Sequence, residues 1–225
     1  MTAPGIFAIP PRDEVRRRLP RLLAGLLLCG VALSCIIDAR LGLDPWNVLH
    51  EGIAGRTGLQ IGLITTLLGF VVLLTWIPLQ ERIGIGTVAN VLVIGTVIDL
   101  VVPHLPQSDH LATRALLLVA GLALIGPGIG LYIGAHLGPG PRDGIMTGLA
   151  ERGPSIRLVR TAIELAALAL GWALGGTVGV GTVLFAVTVG PNAQFWLGRF
   201  DMGHPRGFDA AVDPEVDPDA TLATG

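Results

Sequence analysis

The chain has 225 residues, is 51% hydrophobic and only 14% charged, and has a mean hydropathy of +0.68. Soluble domains carry about 25% charged residues, so this chain cannot cover a water-exposed surface, and its composition points to a bilayer. The net charge of −2 and the lack of a basic cluster beyond the N-terminus argue against a nucleic-acid partner.

An Arg-rich head comes first, with Arg12, Arg16, Arg17, Arg18 and Arg21. It is read as a cytoplasmic segment over residues 1–20. All fifteen basic residues are Arg, which reflects composition bias rather than chemistry. A hydrocarbon core needs about 20 apolar residues per helix. Six segments answer to that: 22–37, 61–79, 85–102, 115–135, 159–174 and 180–197. Cys29 and Cys35 fall in the first and read as packing residues. Residues 199–225 form an acidic Asp/Pro/Ala tail that is expected to be disordered and cytoplasmic.

Arginine placement orients the spans. With the N-terminus inside, twelve Arg lie on the inner side and only Arg40, Arg56 and Arg114 on the outer. That bias predicts a multi-pass inner-membrane protein with both termini cytoplasmic.

The chain also repeats itself. LGLDPWNVLHEGIAGRTG from Leu41 aligns with LGPGPRDGIMTGLAERGP from Leu137, so that Pro45 matches Pro141, Asn47 matches Asp143 and Arg56 matches Arg152. After a one-residue slip, GIGTV at Gly84 matches GVGTV at Gly179, and Gly95 matches Gly190. Upstream, Arg18 and Gly25 match Arg114 and Gly121. The repeats cover residues 21–103 and 114–198. Each holds three spans, an odd number, so two copies in one chain must face opposite ways. Inverted repeats of this kind are common in secondary transporters, whose sites lie at the repeat interface. The expected fold class is therefore an all-α polytopic bundle of about six transmembrane helices in two inverted repeats.

Each Gly/Pro elbow leads into a dozen residues of moderate polarity with helical spacing, starting at Pro45 or Pro141. These are short helices that either enter the membrane partway or lie at its surface, anchored there by Trp46 and Arg side chains. In the fifth span Arg157, Arg160 and Glu164 share one helix face. A charge at mid-span costs about 2.5–3.5 kcal/mol, so Glu164 needs a partner, and Arg160 one turn back is the obvious one. Asp38 and Asp99 sit near outer span ends, where water can reach them. Asn90 reads as a helix-packing side chain. His50, His104, His110, His136 and His204 show no metal-ligand spacing. Gly126, Gly130, Gly134 and Gly138 repeat every four residues and form a close-packing seam.

The motifs GPGPRDGIM, LGLDPWNVL, GIGTVAN, GLYIGAHLG and the closing GGTVGVGT resemble those of the YczE/YyaS/YitT family of bacterial integral membrane proteins, and the YczE branch most of all. The resemblance covers roughly residues 18–197 and implies a multi-pass inner-membrane protein. Related sequences often carry Asp where this chain has Asn47.

The function expected is a small-molecule transporter or permease-like protein without enzymatic activity, cofactor or metal. Its candidate substrate-binding residues are Glu164, Arg160, Arg142, Asp143, Trp46, Asn47 and Asp99. The partners expected are the lipid bilayer and a small-molecule substrate, with a homo-oligomer left open. The alternative is a non-transporting scaffold that holds a cytoplasmic partner through its Arg-rich head or acidic tail.

Overall fold

The structure is a computed structural model and describes residues 7–8, 10–150, 152–153 and 155–205. The described residues form the helices α1 (Arg12–Ala39), α2 (Pro45–Thr57), α3 (Ile61–Leu79), α4 (Ile85–Val101), α5 (Leu111–Ile133), α6 (Pro141–Ala150), α7 (Ile156–Ala173) and α8 (Val180–Phe200). The strands β1 (Phe7–Ala8) and β2 (Ile83–Gly84) add a two-residue parallel pairing, and a 3-10 turn at Val102–His104 extends α4. The tail from residue 206 onward, Arg206 included, lies outside the described residues.

Five helices, α1, α3, α4 with its 3-10 turn, α5 and α8, are long and apolar enough to cross a membrane. α7 has 18 residues but carries Arg157, Arg160 and Glu164. Apart from that two-residue pairing, the regular structure of the described residues is helical.

The largest difference from the hydropathy reading is at α1. α1 begins at Arg12 rather than at residue 22, so the Arg-rich segment is the start of a long helix and not a separate head. Asp13 and Glu14 sit in its first turn, where negative charge suits the helix dipole. Arg18 is only 2% exposed; it bonds Glu14 at 2.8 Å and donates to the carbonyls of Ala135 (3.1 Å) and Gly203 (2.6 Å). A guanidinium with that many acceptors can be buried.

The two repeats grip each other reciprocally. Arg18 of α1 reaches the Ala135 carbonyl, and its counterpart Arg114 of α5 reaches the Ala39 carbonyl at 2.8 Å. The amide of Gly86 donates to Leu137, and that of Gly181 donates to Leu41, at 2.7 and 2.8 Å. Arg56 bonds the carbonyls of Ala173 and Leu174, and Arg152 bonds that of Pro78. Gly42 and Gly138 both hold positive φ, 115° and 122°, and each backs onto the GxGT turn of the other repeat: Gly179 and Thr182 in one case, Gly84 and Thr87 in the other. No side chain would fit at either elbow.

The central pair is α1 and α5. Gly25 lies against Gly128 and Tyr132, and Gly121 lies against Ala32 and Ile36. Numbers rise on one helix as they fall on the other, so these equivalent helices run antiparallel. Gly126, Gly130 and Gly134 meet Asn192, Trp196 and Phe200 of α8. Three of the four glycines expected in a seam thus form one, while Gly138 has left the helix to make the elbow.

The symmetry fails at one place. α3 closes on α4 through small residues: Gly62 abuts Gly95, Gly69 abuts Val91, and Thr66 donates to the Val91 carbonyl at 3.3 Å. Counted from the equivalent helix starts Ile61 and Ile156, α7 carries Arg157, Arg160 and Glu164 where α3 has Gly62, Thr65 and Gly69. Gly190, the counterpart of Gly95, meets nothing within 4 Å. Long charged side chains replace the small ones that let helices approach, and α7 stands off from α8.

Candidate functional site

Both elbows turn into the protein. Asp44 caps α2 by accepting from the Asn47 amide at 3.3 Å, and Pro45 occupies the first turn, where a missing N–H costs nothing. The Asn47 side-chain amide donates to Asp44 at 2.5 Å, and its carbonyl lies 3.2 Å from His50 Nδ1. Asn47 and His50 are 1% and 2% exposed, so this face of α2 is packed inside the protein, while Gly55, Arg56 and Thr57 at its end are exposed. At the start of α6 the Pro141 carbonyl accepts from the indole of Trp76 in α3 at 2.9 Å, which fixes that elbow against α3.

Between the elbows is a cavity of about 480 Å³, within the roughly 300–1,000 Å³ usual for small-molecule sites. Its walls pair equivalent positions of the two repeats. Cys29 and Leu33 face across to Ile125 and Ile129 as counterparts, Asn90 and Val91 to Phe185 and Ala186, and Trp46 to Arg142. Aligned positions of the two halves thus line one cavity.

Its polarity is unequal. The second repeat supplies Arg142, Asp143, Arg160 and Glu164, and the first supplies Asp44, Trp46 and His50. Arg142 pairs with Asp44 at 3.6 Å and stands over the Trp46 ring, 4.9 Å from its centroid. Arg160 pairs with Glu164 at 3.1 Å, the one-turn spacing read from the sequence. Asp143 accepts from the Tyr132 hydroxyl at 3.4 Å and from the Gly140 amide. Burial raises its carboxyl above the ordinary range, while Arg160 and Arg142 act in the opposite direction. His50 is held well below the ordinary imidazole value, first by burial and then by Arg142, so it is uncharged at neutral pH. The Trp46 indole N–H is buried without a hydrogen-bond partner among the described residues.

Of the seven residues singled out from the sequence, Glu164, Arg160, Arg142, Asp143 and Trp46 line this cavity. Asn47 sits one layer behind, orienting Asp44 and His50. Asp99 is outside the lining and caps α3, accepting from the Gly62 amide at 2.7 Å. Asp38, expected to meet water, is instead 5% exposed and accepts from the Gln107 amide at 3.1 Å. Asn90, read as a packing residue, lines the cavity.

Sequence reasoning missed Asp44, His50, Thr65 and Tyr132. Asp44 carried a usable signal, an Asp directly before Pro at a helix start. His50 carried none without the neighbouring helix. Thr65 donates to the Ile61 carbonyl and stands 2.9 Å from His50, a contact that crosses between helices.

Comparison with known proteins places the chain in a family. The family of unknown function DUF6198 matches residues 16–197. An uncharacterized protein of Haemophilus influenzae is 41% identical over 177 residues, covering 78% of this chain and 81% of its own length. The uncharacterized membrane protein YczE of Bacillus subtilis is 31% identical over 189 residues, covering 83% and 88%. The uncharacterized protein YyaS of the same organism is 27% identical over 168 residues, covering 71% and 82%. No solved structure matches the chain.

Proposed function

Because the chain belongs to the DUF6198 family of YczE-like bacterial membrane proteins, we propose that this multi-pass membrane protein is a small-molecule carrier of the inner membrane. In this reading both termini are cytoplasmic and the two repeats insert in opposite orientations. One observation carries it: the cavity lies between equivalent elbows, each presenting a helix N-terminus. Carriers built from inverted repeats place their sites at such an interface, with interrupted helices aimed at the substrate.

The reading is non-enzymatic. The Thr65 hydroxyl beside His50 is also bonded to the Ile61 carbonyl one turn back, the back-bonding usual for a threonine within a helix. A scaffold acting through the Arg-rich segment has less behind it, since Arg18 is bonded inside the fold.

The test is uptake by vesicles reconstituted with the full chain, across a panel of labelled amines, amino acids, carboxylates and sugars. At least one class should accumulate above protein-free vesicles, and Glu164→Gln should lose that uptake while inserting normally. Equal uptake by variant and wild type removes Glu164 from the pathway. Uptake no higher than in protein-free vesicles for every class sinks the carrier reading.

A further inference from the structure

Two donors on the cavity wall are left without acceptors, and they narrow the ligand on the premise of the carrier reading above. Arg142 lines the cavity with its side chain 33% exposed. Its ion pair with Asp44 is 3.6 Å long, beyond hydrogen-bond range, and it otherwise rests on the Trp46 ring. Among the described residues no acceptor takes a hydrogen bond from this guanidinium. The second donor is the Trp46 indole N–H, buried and equally without a partner there. Buried donors left unmade are uncommon in folded proteins. Because the guanidinium lies over the Trp46 ring, 4.9 Å from its centroid, the two donors are neighbours.

The electrostatic setting favours an anion. The first turns of α2 and α6 both open on the cavity, through Pro45 and Trp46 and through Pro141 and Arg142. A helix N-terminus carries partial positive charge. The carboxylates of the wall are engaged elsewhere. Asp44 accepts from both the amide and the side chain of Asn47, and Glu164 pairs with Arg160 on a more exposed part of the wall. Burial raises the Asp143 carboxyl above its ordinary range, against the pull of Arg160 and Arg142. An anion placed nearby favours its protonated form further, so Asp143 is a neutral neighbour of the ligand.

The charge number and the shape follow. Arg160 already donates to Glu164, and the chain has no Lys, so a dianion would leave its second charge uncompensated in a low-dielectric site. A planar guanidinium fork suits a planar carboxylate. Much of the remaining wall is apolar and includes Ile125, Ile129, Phe185 and Val189.

We propose that the cavity binds an organic monocarboxylate with an apolar body, its carboxylate held by the Arg142 guanidinium and the Trp46 indole N–H between the starts of α2 and α6. The stack of Arg142 on Trp46 holds both donors in place before the ligand arrives.

The experiment uses the full chain in lipid nanodiscs with isovalerate, phenylacetate and benzoate, and with the amide of each. At least one acid should raise the melting temperature in a saturable way, and its amide, of nearly the same shape but uncharged, should not. No shift with any of the acids, or an amide as effective as its acid, overturns the ligand class. Inorganic phosphate that stabilises as well as the best acid overturns the single charge. Trp46→Phe keeps the ring under Arg142 and removes only the N–H; it should weaken binding of that acid by about tenfold, the loss of a hydrogen bond to a charged group. Unchanged affinity in Trp46→Phe overturns the placement of the carboxylate. Asp143→Asn should not weaken binding, and a loss there overturns the neutral role of Asp143. Vesicle uptake tests the carrier reading separately: carboxylate binding without uptake sinks the carrier alone, and uptake of an amine or a sugar without carboxylate binding sinks the ligand class alone.

Discussion

Arg142 reaches from the first turn of α6 to the carboxylate of Asp44, the residue that caps α2, and closes a 3.6 Å ion pair between the two elbows. The pair ties the start of α2 to the start of α6. Asp44 is only 4% exposed, so it depends on that partner and on Asn47.

Arg142→Ala should therefore destabilise the protein by about 1–3 kcal/mol, the cost of leaving a buried acceptor under-satisfied. Asp44→Asn should cost less, because an amide still caps α2. Thermal melts of both variants in detergent check the order. A larger loss for Asp44→Asn contradicts it.

Gly95 and Gly190 are equivalent in sequence and opposite in surroundings. Gly95→Ala forces a methyl into Gly62 and Thr66 and should cost about 1–3 kcal/mol as overpacking. Gly190→Ala meets open space and should leave stability unchanged within about 0.5 kcal/mol. Equal effects would mean that α7 and α8 close as tightly as α3 and α4.

Opposite insertion of the repeats can be read by cysteine labelling. Gly55, near the end of α2, is exposed with nothing within 4 Å, and Arg157 at the start of α7 is exposed as well. Cys29 and Cys35 are buried and add little background. With an impermeant maleimide on intact cells, Gly55→Cys should label and Arg157→Cys should label only after lysis. Labelling of both from outside removes the inverted orientation.

Past the end of α8, Asp201 accepts from His136 Nε2 at 2.6 Å and from the Gly203 amide at 2.9 Å. Burial works against its ionisation, but these two contacts outweigh it and hold the carboxyl below the ordinary range. A depressed folded value adds stability above the unfolded carboxylate pKa of about 3.9, and that stability is lost as pH falls through the lower folded value. Asp201→Asn should lose at most about 1 kcal/mol near neutrality, since the carboxylate is half exposed. It should also flatten the acid side of the melting profile; an unaltered acid limb rules the contact out as a source of stability.

Much of this arrangement was legible in one dimension. The spacing of Arg160 and Glu164 gave their ion pair, because neighbours one helical turn apart meet whatever the rest of the chain does. The elbows were visible because glycine at positive φ and proline at a helix start leave a compositional mark. The burial of Arg18 was not visible: hydropathy counts charge and cannot know that Ala135 and Gly203 wait across the fold with their carbonyls. Asp99 looked like a site residue because a carboxylate near a span end suits a ligand as well as a helix N-terminus, and it faces α3.

By itself the sequence determined the all-helical membrane class and the two elbows, since hydropathy, periodicity and turn chemistry are local properties. Tertiary structure decided which charges share the cavity, which arginine stays buried, and that α3 meets α4 while α7 stands away from α8. Those outcomes depend on how closely helices from distant stretches approach. That distance is set by whether a glycine or a long charged side chain stands at the crossing, in register with a partner that no local pattern reveals.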